Sequence, residues 1–438
     1  MMHTAPNPTP GTSAVELLTR LIAAQADGED AVQATIADAL ADAGCDVSEL
    51  RFEPANVPAV GEFAVPGAQA AGERTAVIGR LPATDDGLAS LLMFAHPDGE
   101  PIAGTERWSH DPFAGGVTDG RIYGWGVADD LAGCAAALAA MRTVAGSVAR
   151  HGEFTFASTP SKRSARGVAA VLHDGHSADA ALYLHPAESG AGMREIKAVT
   201  SGLLEFRLRV RGRLPQTEEP SHAAFAHLAI NPVDKLVPLH AALARLSDRL
   251  ADRMRHPLIE ARVGRAANLL VGTVACGDPA TYARLGEALD IGCALSFPPG
   301  ADMRSLMAEV EATVAETAAG DDWLRDNPPE LQWLTGVTGA EVPVDHPLWQ
   351  VSEAAVRRTT GTAPTVNPMH TASDIRVPAV EAGIPCVGLG CLAGDLTQNG
   401  RHDEWVDAAD FVRMTDVTSA IAADWCARTA ERTAPGRA

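Results

Sequence analysis

From about residue 76 the chain alternates short apolar runs with Ala-rich helical stretches, and that alternation restricts the folds open to it. AVIGRL (76–81) and LLMFA (91–95) are of strand length, and LAGCAAALAAMRTVA (131–145) is of helix length. FTFAS (154–158), RSARGVAAVLHDG (163–175) and ALYLHP (181–186) repeat the order strand, helix, strand. Apolar runs without polar alternation belong to strands covered on both faces, so the pattern predicts an α/β fold with a mostly parallel sheet flanked by helices. Two amphipathic helices are expected before it, over 14–25 and 30–43.

Near residue 200 the rhythm changes. LLEFRLRVRG (203–212) alternates apolar and polar residues as a strand with one wet face does, and 232–253 follows with helical periodicity. LDIGCALSF and SLMAEVEATVAETAAG repeat strand then helix. A smaller α+β domain is therefore expected over 199–320, inserted into a domain formed by 1–198 and 321–438. The larger domain resumes with a helix at 346–361, the loop TVNPMHTASDIR, a strand at 384–390 and a closing helix from about Ala408 to Ala430.

Composition removes several function classes. The 35 Lys plus Arg against 56 Asp plus Glu leave a net charge of −21, which repels phosphate backbones and anionic lipid, so neither nucleic acid nor membrane is an expected partner. Seven cysteines stand far apart with no C-x-x-C pair, which argues against a disulfide framework or a thiolate zinc site. With no signal-like start and no long apolar run, a cytoplasmic location is expected. Only three lysines occur, Lys162, Lys197 and Lys235.

Open α/β sheets place their chemistry beyond the carboxyl ends of the strands. There the sequence puts His96-Pro-Asp98, Asp129-Asp130, Ser161-Lys162 and His185-Pro-Ala-Glu188. Imidazole and carboxylate are the ligands that Zn²⁺, Mn²⁺ or Co²⁺ takes from a protein without thiolate. Asp98, two residues after His96, is placed to accept the other ring N–H and orient the imidazole.

HPDGEP (96–101), Trp108, Asp111-Pro-Phe113 and DGRIYGWGVADDLAG (119–133) together resemble the M20 metallopeptidase and aminoacylase family, and the resemblance covers nearly the whole chain. It implies a two-metal amide hydrolase acting on N-acyl amino acids or small peptides, dimeric through the inserted domain. Carried over by position, it implies that His96, the bridging Asp129 and His185 hold one divalent metal, zinc being the first expectation. The second pocket departs from the pattern. Ser161 and Lys162 stand where the family has its Glu-Glu pair, the general base and a ligand, and Gly400 stands at the last ligand position, with His402 two residues on as a substitute. The resemblance also implies that His222, nine residues before Asn231, stabilises an oxyanion, with Asn231 and Arg376 contacting substrate.

The expectation is a single metal, with the Lys162 ammonium replacing the second cation. Glu188, Asp130 and His402 are the candidates for a relocated base. Two other readings stay open: a repurposed or lapsed member that binds a small ligand or performs non-hydrolytic Lewis-acid chemistry, and a purely structural or regulatory dimer.

Overall fold

The computed structural model describes residues 10–99, 104–162, 164–185, 190–368, 372–393 and 402–430. The chain divides into two compact units. One takes the chain up to Val60, Gln69–Val199 and the chain from Glu341 onward; the other takes Gly61–Ala68 and Thr200–Ala340.

The larger unit is built on a six-stranded sheet, in the order Asp46–Phe52, Arg74–Leu81, Phe154–Ser158, Leu91–Ala95, Ala180–Leu184, Cys386–Leu389. Leu91–Ala95 pairs in parallel with Phe154–Ser158 on one side and Ala180–Leu184 on the other, and Cys386–Leu389 continues the parallel ladder. Arg74–Leu81 runs antiparallel to both of its neighbours. Every residue of Leu91–Ala95, Phe154–Ser158 and Ala180–Leu184 is buried, which is why these strands read as continuous apolar runs. Helices Pro10–Ala24, Glu29–Asp42, Ala132–Ser147, Pro347–Thr360 and Ala408–Cys426 bury their apolar residues in one core.

The smaller unit carries a five-stranded antiparallel sheet, in the order Asn268–Cys276, Ala288–Phe297, Gly202–Arg211, Glu330–Val337, Glu62–Ala64. Burial alternates along Gly202–Arg211 and Ala288–Phe297, so one face packs with helices Leu236–Arg253 and Met303–Ala319 in a second core. This unit does not stop at residue 320. Gly202–Arg211 is paired on both edges, and Glu330–Val337 supplies the second set of hydrogen bonds. Its burial, half-exposed along most of its length, gives no clean alternation to read.

Helix Ala132–Ser147 lies so close to the sheet that Gly133 has no room for a side chain: a Cβ there would fall 2.1 Å from the Leu184 carbonyl oxygen. Gly→Ala inside a helix ordinarily gains about 1 kcal/mol. Gly133→Ala is instead expected to destabilise the protein by about 3 kcal/mol, since the obstacle is backbone. Denaturant unfolding measures it, and an unchanged or raised midpoint contradicts the packing.

Candidate functional site

The parallel strands end on one edge of the sheet. His96 directly follows Leu91–Ala95, Thr159 through Lys162 follow Phe154–Ser158, and His185 follows Ala180–Leu184. Asp129 and Asp130 occupy an extended turn, with φ of −136° and −138°, between Gly126 and helix Ala132–Ser147, and the peptide bond joining them is cis. The helix begins three residues later than the first of these aspartates, so both carboxylates lie before it.

The strongest electrostatic contact in the site joins Lys162 Nζ to Asp129 Oδ2 at 2.6 Å. Burial alone would raise the Asp129 carboxyl, but the Lys162 ammonium, with Asp130 and His185, holds it well below the usual carboxylate range. Burial also opposes the charge on Lys162; Asp129, Asp130 and Asp98 outweigh it and raise the ammonium's pKa. Asp130 behaves oppositely: burial, then the adjacent Asp129 charge, push its carboxyl well up. Two neighbouring aspartates are thereby split into one firmly ionised group and one that favours its proton.

His96 is wholly buried, and its Nδ1–H donates to the Thr159 carbonyl oxygen at 2.7 Å. A carbonyl can only accept, so Nδ1 carries a proton, and Nε2 is the nitrogen that faces the carboxylates. It lies 3.3 Å from Asp374 Oδ2 and 3.8 Å from Asp130 Oδ2. Asp98 does not orient this ring, contrary to the expectation from its spacing. Its carboxylate accepts from the backbone amides of Ser161 (2.9 Å) and Lys162 (2.9 Å) and pairs with Arg74 at 3.3 Å. The side chain turns toward two N–H groups and a guanidinium because those compensate a buried carboxylate more fully than one imidazole N–H does. Asp98 thus fixes the turn that presents Lys162.

Ser161 donates its hydroxyl to Asp374 Oδ2 at 3.1 Å. Burial pushes Asp374 up, but His96, Arg376 and Ser161 together hold it at about 2. Arg376, buried at the start of helix Arg376–Ala382, therefore acts on Asp374 through its charge. Tyr183, on the strand leading to His185, sits between the histidines, its ring centroid 5.1 Å from His96 and 5.0 Å from His185. Burial and the Asp130 charge raise its phenol well above the ordinary value. Asp374 and Tyr183 are the site residues that sequence reasoning passed over. Asp374 lies in the loop just before helix Arg376–Ala382 and carries no motif of its own, and Tyr183 looks like any aromatic residue in a buried strand.

Asp129, Asp130 and His185 form a group whose ligand atoms lie within 4.8 Å of one another. Of the expected trio, His96 stands outside this group and Asp130 inside it. Among the described residues, His96 Nε2 and both carboxyl oxygens of Asp130 are buried, with His96 Nε2 3.3 Å from Asp374 Oδ2 and the Asp130 carboxyl against Asp129 and Tyr183. Imidazole and carboxylates gathered this way fit a divalent ion. Lys162, a cation against Asp129, does not fit a second ion there. His185 Nδ1 lies 2.9 Å from Nζ of the fully buried Lys197. His402 is exposed and outside the cluster; Glu188 and Gly400 lie outside the described residues.

His222 and Asn231 belong to the smaller unit. His222 Nδ1 accepts from Ala224 N at 3.2 Å, so the proton of the neutral ring is on Nε2, the form an oxyanion donor requires. Asn231 Oδ1 accepts from Val233 N at 3.1 Å and caps the short helix Pro232–Lys235.

Glu404 anchors the approach to Asp129, accepting from Gly126 N at 3.1 Å and Ala128 N at 2.8 Å. Burial raises its carboxyl to about 7, and burial with the Asp98 charge does the same for Glu29. Both bind a proton more tightly folded than unfolded, so stability is fullest below the unfolded value of 4.5 and falls as pH rises toward 7. Calorimetry is expected to show the melting temperature declining between pH 5 and pH 8. Glu404→Gln should flatten the decline, with Glu404 contributing on the order of 3 kcal/mol over that span; a stability that rises with pH contradicts the assignment.

The fold is shared with solved peptidases. An M20 family metallo-carboxypeptidase from Sulfolobus solfataricus superposes with a TM-score of 0.69 at 12% identity, over 95% of this chain and 99% of that one. Aminopeptidase PepT from Bacillus cereus gives 0.66 at 18% identity, over 94% and 98%. The YXEP protein of Bacillus subtilis, described as a dinuclear metal binding peptidase from the M20 family, gives 0.59 at 13% identity, over 96% and 99%. At such identities the likeness concerns the fold. The family model for peptidase family M20/M25/M40 matches residues 92–424, a span that includes the His96, Asp129 and His185 strand ends and the whole smaller unit from Thr200, and the chain belongs to that family of metallohydrolases.

Proposed function

We propose that the protein hydrolyses an amide bond of an N-acyl amino acid or a small peptide with one divalent ion, zinc before manganese or cobalt. The observation that carries this reading is the 2.6 Å contact between Lys162 Nζ and Asp129 Oδ2. A fixed ammonium neutralises the carboxylate that relatives would share between two metals. When bound, the ion supplies a Lewis acid that polarises the scissile carbonyl. The chain's own residues do the rest. Asp98 holds the turn of Lys162, Thr159 fixes the His96 tautomer, and His222 keeps the donor nitrogen suited to an oxyanion.

Ser161 supports slow turnover. Its hydroxyl is committed to Asp374, and it cannot accept a proton as a glutamate would, a role worth roughly 10² to 10⁴ in rate. The same observation favours the second reading, a repurposed member that binds a small ligand or performs Lewis-acid chemistry without activating water.

Elemental analysis beside a screen of N-acyl amino acids and dipeptides separates these readings. One ion per chain is expected, with turnover abolished by His96→Ala and changed less than about twofold by Ser161→Ala. Two ions per chain contradict the single-ion reading, and one ion without turnover leaves the repurposed one.

A homodimer through the smaller unit is part of the proposal. Asn268–Cys276 is an edge strand of its sheet and exposes Leu270 at 60% and Val274 at 50%. Such an edge invites pairing with a second copy. Light scattering is expected to give twice the chain mass, and Leu270→Lys with Val274→Lys should shift it to the monomer without changing secondary structure; a monomeric wild type removes the proposal.

A further inference from the structure

Two glutamines of the N-terminal helical segment are buried among leucine, isoleucine and valine side chains: Gln25 and Gln33, each 4% exposed. An interior keeps an amide where its donors find partners. Gln25 Nε2 donates to the Pro97 carbonyl oxygen at 3.1 Å. Gln33 Nε2 donates to the Thr75 carbonyl oxygen at 2.8 Å and lies 3.3 Å from that of Ser158. Between the two in sequence, Glu29 pairs with Arg74 Nη2, and the same nitrogen reaches Asp98 Oδ2 at 3.3 Å. Glu29 and Gln33 stand one turn apart on helix Glu29–Asp42 and share a face. Gln25 belongs to the turn Gln25–Asp27 just before that helix.

All of these contacts reach backbone or side chains next to the site. Pro97 lies between His96 and Asp98, and Ser158 ends the strand that leads to Ser161 and Lys162. Asp98, 5% exposed, accepts from the amides of both those residues at 2.9 Å, so its position decides theirs. Arg74 is the cation paired with that carboxylate. Removing the guanidinium would leave a buried charge uncompensated, which the turn would relieve by opening to water. Removing the Gln25 amide would leave the Pro97 carbonyl without its donor, one residue before Asp98. The backbone and the side chain of one short turn are thus held separately by the same helical segment.

We infer that Gln25, Glu29 and Arg74 are positioning residues, through which the N-terminal helical segment holds the His96–Pro97–Asp98 turn and, by way of Asp98, sets the turn that presents Lys162 to Asp129. None of the three touches a reacting atom. Glu29 acts one step further out than Arg74, because it fixes the guanidinium from the side opposite Asp98. The consequence for turnover rests on the single-ion hydrolase reading; the placement of the turn does not.

Residue-resolved amide hydrogen exchange on the full-length protein tests this at Ser161 and Lys162, the two donors to Asp98. Arg74→Gln is expected to speed exchange of these amides by about tenfold or more and Gln25→Leu by about threefold or more, while strands Ala180–Leu184 and Ala288–Phe297 stay within about twofold of the wild type. Arg74→Lys keeps a cation for Asp98 and should recover most of the protection. Glu29→Gln still offers Arg74 an acceptor and should change little, whereas Glu29→Leu should resemble Arg74→Gln. Residues with a merely structural role would speed exchange evenly across the strands, and that outcome overturns the inference. Should Arg74→Gln fail to fold, Gln25→Leu decides: wild-type rates at Ser161 and Lys162 in the folded variant overturn the inference as well. Two ions per chain, or no turnover, found beside a selective loss of protection would overturn the single-ion hydrolase reading and leave the positioning role standing.

Discussion

The ion pair between Lys162 and Asp129 is the constraint around which the site is organised. Each side chain is mostly buried, 14% and 13% exposed, and a buried charge that loses its partner costs several kcal/mol. The pair must therefore be presented with its geometry already fixed. Asp98 does this from one side by binding the amides of Ser161 and Lys162, and Glu404 does it from the other by binding those of Gly126 and Ala128. Arg74 extends the chain outward, bridging Asp98 and Glu29. Two carboxylates that touch no reacting atom thus decide where the ammonium and the aspartate meet.

The same logic explains why the two aspartates differ. Adjacent carboxylates in a dry pocket cannot both ionise without a cation apiece. Lys162 reaches Asp129, which stays ionised, and Asp130 is left with raised proton affinity by its burial and the Asp129 charge. A site prepared in this way has one carboxylate already neutralised and one still in want of a positive charge.

Much of this was legible in the sequence, and the parts that were not share a cause. The strands Leu91–Ala95, Phe154–Ser158 and Ala180–Leu184 are buried on both faces, so hydrophobicity alone revealed them and the residues at their ends. Glu330–Val337 was missed because a strand with mixed exposure shows no such run, and Asn268–Cys276, apolar in sequence, is an exposed edge strand rather than a buried one. The departure at Ser161 and Lys162 could be read from residue types at known spacing. The partner of His96 could not, because it is a backbone carbonyl, and every residue carries one. Asp98 was misread for the related reason that sequence proximity does not tell which of several donors a buried carboxylate will face. The rarity of lysine was the better guide: each of the three is pinned, Lys162 on Asp129, Lys197 on His185 and Lys235 on Asp321 at 2.9 Å.

The overall charge of −21 conceals a site where basic side chains meet the acidic ones. Asp98, Asp129 and Asp374 stand beside Arg74, Lys162, Lys197 and Arg376, with Asp130, which favours its proton, among them. Where metal ions neutralise a carboxylate pocket, its charge state follows metal supply, and a chelator leaves like charges facing each other in low dielectric. Cations carried on the chain itself remove that dependence. They also exert their charge from fixed points, through stems packed in the core, and so cannot move with a substrate as an exchangeable ion can. Such an arrangement favours a pocket that stays assembled whether or not an ion or a ligand is bound.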